Sequence, residues 1–328
     1  MLVLSRADLR QLVSMREAVE LMKIAFRELS AGRAVSPLRT AIDIADAGGT
    51  TLLMPAYVPA ASALGVKVVS VFGGNRDRGL PTIHALVCLV DAETGVPTAI
   101  MDGGYITALR TGAVSGAATD LLARPDARVV VVIGAGAQGV TQAVAVATVR
   151  PIERIIAVDV TEEQLERYRE AMARDWPEFA GVVETTTDVA IVQEADVICT
   201  ATTSRQPVFA DGDLRPGTHI NAVGAFTPEM QELPAATVAR ASIVVDSTEA
   251  VLAEAGDLII PMRQGLIDRN RLSRELGMLV AGEVPGRANV QEITLFKSVG
   301  NAIQDVVVAR RAVDQATAAG MGTTIEIG

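Results

Sequence analysis

The apolar run Val129-Val130-Val131-Val132-Ile133 leads straight into Gly134-Ala135-Gly136-Ala137-Gln138-Gly139, and this junction constrains the chain more than any other feature. A short run with no polar residue reads as a strand buried on both faces, as in a parallel sheet. The glycines open a second apolar stretch, Val140–Val149, of helical length. G-x-G-x-x-G alone is a weak signal, and its place between strand and helix makes it strong. Gly134 permits a tight turn, Gly136 lets the backbone approach a pyrophosphate, and Gly139 lets the helix lie close to the strand. The phosphates then meet the positive end of the helix, at Ala137 and Gln138. The next strand, Ile155–Val158, ends at Asp159, about 20 residues past the last glycine, where a carboxylate accepts the ribose hydroxyls and repels a 2′-phosphate. Residues from about Val129 to Asp159 therefore predict a nicotinamide dinucleotide site. Asp159, with no Arg directly after it, favours NAD(H) and leaves NADP(H) open.

Beyond Arg124-Pro125-Asp126 strands and helices alternate: Arg128–Ile133, Ile155–Val158, Val182–Thr185, Val197–Ala201, His219–Val223 and Ser242–Val245 as strands, with helices through Val149 and from Thr161 to Arg174. That alternation predicts an α/β fold with a doubly wound parallel Rossmann domain. Cys199-Thr200-Ala201-Thr202 ends one such strand, and strand carboxyl ends line the ligand crevice, so Thr200 is a candidate cofactor contact. Before Arg124 the pattern differs. Ser5 and Ser14 each precede an acid at capping-box spacing, predicting two helices, the second stopped at Gly32. Leu38–Ile44, Thr50–Met54, Val66–Phe72 and His84–Asp91 read as short strands, and His84–Met101 as a hairpin. An Ala- and Gly-rich helix follows over Thr107–Ala123. This half is an α+β domain, and the last helix, Ser298–Ala319, suits either domain.

At 328 residues the chain accommodates two domains. A net charge of −10 argues against nucleic acid and against an anionic membrane surface. No apolar run is long enough to span a bilayer, and the N-terminus shows no signal peptide. Cys88 and Cys199 lie in apolar runs, which predicts buried free thiols and a cytoplasmic protein. His84 and His219 with these cysteines make no metal site, so no metal is expected. His84 reads as a packed or hydrogen-bonded strand residue and not as a catalyst. Arg39, Lys67 and Arg110 stand near element ends in apolar surroundings, where a cation needs a partner. An internal salt bridge and a ligand anion are both consistent with them.

The chain resembles the ornithine cyclodeaminase and mu-crystallin family along nearly its whole length. The resemblance is carried by Leu53-Met54-Pro55-Ala56-Tyr57, Gly65-Val66-Lys67, the run Asp102 to Ala113 with Ile106-Thr107-Ala108-Leu109-Arg110-Thr111, the glycine loop with Gln138, Glu254-Ala255-Gly256-Asp257, and Phe296-Lys297-Ser298-Val299-Gly300. It implies a homodimer in which residues 1–118 with 302–328 form a substrate-binding and dimerisation domain, and 119–301 the dinucleotide domain. It implies that Arg39 and Arg110 hold a substrate carboxylate, with Met54 and Thr227 beside the substrate, and that Lys67 is the catalytic group near the reacting nitrogen. It implies cofactor contacts from Thr82, Thr111, Ala201, Thr202, Val223 and Ser298, in addition to the glycine loop, Asp159 and Thr200.

Two departures narrow the substrate. Ornithine cyclodeaminases carry a Glu where this chain has Leu52, and an Asp where it has Phe226 in Gly224-Ala225-Phe226-Thr227-Pro228. A second ammonium buried there without a partner costs several kcal/mol. The expectation is therefore reduction of a cyclic 2-imino acid, Δ1-pyrroline-2-carboxylate or Δ1-piperideine-2-carboxylate, to L-proline or L-pipecolate. The alternatives are an alanine dehydrogenase-like enzyme, an ornithine or lysine cyclodeaminase, and a non-catalytic cofactor-binding protein of crystallin type.

Overall fold

The computed structural model describes residues 1–326, without the side chain of Arg76. The expected domain segment 302–328 thus ends on two residues outside the described ones. Contacts separate two compact units: Met1–Arg110 with the segment from Asn301 onward, and Thr111–Gly300. The seam falls inside a helix, between Arg110 and Thr111.

The first unit opens with β1 (Leu2–Leu4), α1 (Arg6–Leu12) and α2 (Met15–Ser30). Ser5 and Asp8 form the expected capping box: Ser5 Oγ accepts from Asp8 N at 3.3 Å, and Asp8 Oδ2 accepts from Ser5 N at 2.8 Å. Ser14 caps α2 by accepting from Glu17 N at 3.3 Å. The chain then meanders through β2 (Thr40–Ile44), β3 (Gly49–Val58), β4 (Ala63–Phe72), β5 (Ile83–Val90) and β6 (Pro97–Asp102), each antiparallel to the next. The β5–β6 pair is the predicted hairpin. Strand β3 runs past its expected end at Met54, because β4 pairs with it along its whole length, from Gly49↔Phe72 to Val58↔Ala63. The β2 ladder reaches only Leu53, and beyond a ladder's end a proline such as Pro55 is tolerated.

Helix α3 (Gly103–Leu122) starts four residues before the Thr107 expected from sequence. Asp102 Oδ1 accepts from Tyr105 N at 2.6 Å and caps the earlier start. Gly103 is required by close packing, since a Cβ there would lie 2.7 Å from Leu86 N. Arg110 sits inside the helix in both readings.

The second unit follows as β7 (Val129–Ile133), α4 (Ala137–Val149), β8 (Arg154–Val158), α5 (Glu162–Asp175), β9 (Val183–Thr186), β10 (Val197–Thr200), β11 (His219–Ala222), α6 (Ala235–Arg240), β12 (Ser242–Val245), α7 (Thr248–Glu254), α8 (Gly256–Arg263), α9 (Leu276–Val280) and β13 (Thr294–Lys297). Its seven-stranded sheet is parallel throughout, in the order β9-β8-β7-β10-β11-β13-β12. The order reverses between β7 and β10, which is where a doubly wound sheet binds its ligand. Fully buried Val131, Ile198, Ile220 and Leu295 fill its core. Strand β13 goes beyond the sequence expectation: four residues ending in a lysine carry little pattern, yet they enter the sheet between β11 and β12.

The chain returns to the first unit as α10 (Ala302–Ala319) and β14 (Thr323–Thr324). Helix α10 starts later than the expected Ser298, because Gly300 takes φ +84° and Asn301 caps the helix by accepting from Ile303 N at 3.1 Å. The sheet of this unit runs β14-β1-β6-β5-β4-β3-β2, with α10 packed on β3, β4 and β5. Its other face keeps large apolar groups in solvent, Leu86 at 46% exposure and Ile42 at 52%. His84 is exposed on β5, not packed as expected, since Ser70, its partner in register, gives it no cover. Cys88 is half-buried and only Cys199 is fully buried; both thiols are free. Among the described residues no helix is long and apolar enough to cross a membrane.

Gly112 sets the approach of α3 to α4: a Cβ there would lie 2.4 Å from the Thr141 carbonyl oxygen. Gly112→Val is expected to cost about 1–3 kcal/mol through overpacking. Urea unfolding followed by circular dichroism measures it, and an unchanged midpoint would contradict the close approach.

Candidate active site

The glycine loop has the geometry that its sequence predicted. Gly134 takes φ +101°, and a Cβ on it would meet the Ala201 carbonyl oxygen at 2.6 Å. A Cβ on Gly139 would lie 2.2 Å from the Gly134 oxygen, so helix and strand touch there. Gly136, by contrast, faces open space: a Cβ on it would have nothing within 4 Å. It is also the N-cap of α4, and no side chain caps the helix. The first-turn N–H groups from Ala137 and Gln138 thus point at a space without a side chain, as an anion site requires. Gln138 Oε1 is buried with no hydrogen-bond partner among the described residues.

Asp159 ends β8 beside this loop. Its Oδ2 accepts from Ala135 N at 2.8 Å and its Oδ1 from Val160 N at 2.8 Å. Each oxygen keeps acceptor capacity for a ribose hydroxyl. The residue that follows, Val160, is 91% exposed and uncharged, so no cation stands there for a 2′-phosphate. Gln164, missed by sequence reasoning, braces the loop by donating from Nε2 to the Ala135 oxygen at 2.7 Å. These residues fit a dinucleotide.

The other expected cofactor residues of this unit gather at the carboxyl ends of β10, β11 and β13. Ala201, Thr202 and Val223 are half-buried there. Thr200 is fully buried and gives its hydroxyl to Glu232 Oε2 at 2.9 Å. Ser298 donates to Asp246 Oδ2 at 2.7 Å and accepts from Gly300 N at 3.2 Å. The hydroxyl protons of Thr200 and Ser298 are given to buried acids, and each oxygen keeps acceptor capacity. Thr111 is buried, and its carbonyl accepts from Gln142 Nε2 at 2.9 Å. Thr227 and Phe226 lie in the loop after β11, with Phe226 packed against the core of this unit.

In the first unit, Lys67 and Arg110 meet on one carboxylate. Lys67, from β4, donates to Asp305 Oδ2 at 2.8 Å, and Arg110 Nε lies 3.2 Å from Asp305 Oδ1. Arg110 Nη1 donates to Gln304 Oε1 at 2.6 Å. All four side chains are buried. Asp305 and Gln304 come from the first turns of α10, and sequence reasoning missed both. The available signal was an acid within Ala302–Ala309, an otherwise mostly apolar run, where a buried charge demands a partner. Burial pushes the Lys67 ammonium down to about 7; the charge of Arg110 pushes the same way, Asp305 opposes it, and Arg39 adds a further push down. Half-buried Arg39 thus belongs to the same electrostatic neighbourhood. Lys67 and Arg110 share the one carboxylate of Asp305, an arrangement that suits a carboxylate ligand.

Met54 pairs in register with Lys67, and Leu52 with Val69. By the alternation of the strand, Leu52 shares the face that carries Met54 and Lys67. Thr82, half-buried before β5, accepts from Phe72 N through its carbonyl at 2.9 Å.

A model of the ornithine cyclodeaminase/mu-crystallin family matches residues 1–320. The chain belongs to this family. It is 41% identical over 327 residues to a Δ1-pyrroline-2-carboxylate reductase of Bacillus cereus, covering 99% of this chain and 100% of that protein. The structure of the Thermococcus litoralis Δ1-pyrroline-2-carboxylate reductase in complex with NADH and L-proline superposes with a TM-score of 0.94 at 44% identity, covering 99% of this chain and 100% of that one. An archaeal alanine dehydrogenase dimer with bound NAD gives a TM-score of 0.90 at 35% identity, over 100% and 99% of the two chains.

Asp305 balances two buried cations, so Asp305→Ala is expected to cost about 3–5 kcal/mol of stability. Combined with Lys67→Met, the loss should fall well below the sum of the single losses, because charge and countercharge leave together. Denaturant midpoints of the two single variants and the double variant give the coupling. Additive losses would mean that the pair contributes nothing.

Proposed function

We propose that this chain reduces a cyclic 2-imino acid, Δ1-pyrroline-2-carboxylate or Δ1-piperideine-2-carboxylate, to L-proline or L-pipecolate. It is an NAD(P)-dependent oxidoreductase acting on C=N, as its similarity to the Bacillus and Thermococcus reductases supports. One observation carries the substrate class. The buried cluster has positive charge to spare for one carboxylate, while Leu52 puts an apolar side chain on the sheet face where a diamino acid would need an acid. Unit 1 is the substrate-binding and dimerisation half, and unit 2 the dinucleotide-binding half.

Bound NAD(P)H supplies the hydride that the C=N carbon accepts. The chain's own residues hold the substrate and manage one proton. Gln304 accepts from Arg110 Nη1, Asp305 pairs with the same guanidinium through its charge, and Arg39 adds a second guanidinium for the carboxylate. Fixing the carboxylate fixes the imine carbon one bond away, so orientation is settled before reaction. Lys67 protonates the substrate nitrogen, which becomes the amine of the product. With its pKa at about 7, its proton is held loosely enough to be given up at neutral pH, and Asp305 keeps the amine in place afterwards.

Asp159 supports NADH over NADPH. The exposed apolar face of the first sheet supports a homodimer through that face, with a second copy covering Leu86 and Ile42. Free thiols at Cys88 and Cys199 support a reducing compartment, the cytoplasm.

Purified protein should oxidise NADH with either cyclic imine in the absence of ammonia. Turnover that needs pyruvate and free ammonia would select alanine dehydrogenase chemistry instead. In the reductive direction kcat/KM should fall as pH rises through about 7, because protonated Lys67 is the donor. Lys67→Met, which carries no proton to give, should lower kcat and remove that fall. A fall that survives in the variant would assign it to the imine and sink Lys67 as the acid. Leu86→Lys should shift the dimer toward monomer in light scattering, and an unaltered dimer would place the interface elsewhere.

A further inference from the structure

Glu232 lies between β11 and α6, fully buried, and no sequence feature marked it. Its carboxylate joins the ends of two adjacent parallel strands. Oε2 accepts from Thr200 Oγ1 at 2.9 Å, from Gly224 N at 2.8 Å and from Ala225 N at 3.1 Å. Oε1 accepts from Thr202 N at 2.6 Å. Every one of these partners is a donor, which suits an ionised carboxylate. Gly224 lets it in, since a Cβ there would lie 2.4 Å from Oε1.

Glu232 is fixed from behind. Asp257 Oδ1 accepts from the backbone N of Glu232 at 2.7 Å and of Leu233 at 2.9 Å, while its Oδ2 accepts from Lys297 Nζ at 2.8 Å. Asp257 and Lys297 are buried and come from the two sequence runs, Glu254–Asp257 and Phe296–Gly300, that the substrate cluster leaves without a role. Burial and Asp257 push the Glu232 carboxyl upward, against the pull of Lys297 and of its hydrogen bonds to Thr202.

We propose that Glu232 is the positioning residue of the dinucleotide crevice: it holds the ends of β10 and β11 so that half-buried Ala201, Thr202 and Val223 face the cofactor, without touching the cofactor itself. Ligands of doubly wound sheets lie outside the strand carboxyl ends, next to the reversal in strand order. Here β10 borders that reversal and β11 follows it. Turned inward by Glu232, the amides of Thr202, Gly224 and Ala225 give the crevice wall one defined shape. The proposal rests on dinucleotide binding and not on which imino acid is reduced.

Glu232→Gln keeps the size but sets an NH2 group against N–H donors. NADH binding, followed by cofactor fluorescence without substrate, should weaken at least tenfold. The KM for the imino acid at saturating NADH should stay within about twofold. A role in stability alone would lower the melting temperature and leave the NADH Kd unchanged, and that result overturns the proposal. Should Glu232→Gln fail to fold, Thr200→Val removes one of the four donors and should weaken NADH binding several-fold; wild-type affinity there overturns it equally. Wild-type protein that binds NADH but reduces no cyclic imine would refute the substrate assignment and leave this one standing.

Discussion

Lys67 and Arg110, both buried, share the carboxylate of Asp305, and the chemistry of the first unit follows from that shared charge. Asp305 reaches both cations. Burial of an ammonium without full compensation lowers its proton affinity, and the guanidiniums of Arg110 and Arg39 lower it further. The same imbalance makes an anion welcome. One arrangement of charges therefore accounts for both an attraction toward a carboxylate and a lysine able to release a proton near neutrality. The carboxylate depends on α10 crossing β3, β4 and β5. Gly300 and Asn301 end the preceding strand region and start that helix, which places Gln304 and Asp305 in its first turns.

In the second unit buried acids act in a different way. Asp246 collects Ser247 N, Val299 N, Gly300 N and the Ser298 hydroxyl. Glu232 collects donors from Thr200, Thr202, Gly224 and Ala225. Parallel strands leave loops at their carboxyl ends whose N–H groups have no ladder partner, and buried N–H groups must be satisfied. An internal carboxylate satisfies several at once and removes their freedom. Such acids fix the loops at the strand ends.

Much of the fold is legible from residues alone. The glycine loop, the run of parallel strands, the hairpin and the two N-terminal caps all rest on short-range chemistry: positive φ, burial on both faces, a side chain three residues from a backbone amide. Sequence and structure part where tertiary pairing overrides local pattern. Strand β13 is four residues long and ends in Lys297, so it reads as nothing in particular until Asp257 takes its charge. Helix α3 starts at Gly103 because Asp102 caps it and Leu86 crowds it. Nor do local patterns show that the Thr200 and Ser298 hydroxyls donate to Glu232 and Asp246.

The sequence by itself determined the glycine loop, the acid after the next strand and the identity of three cations in apolar surroundings, because each depends on residues close in the chain or on a residue type out of place. Its family pattern also showed what is missing, with Leu52 and Phe226 where acids would serve a second amino group. Only the tertiary structure decided which acid answers Lys67 and Arg110. Lys67 and Asp305 are 238 residues apart, as are no two members of the glycine loop, and no local periodicity reports a contact at that distance. A buried charge announces that it needs a partner; which partner it has is settled by where α10 packs.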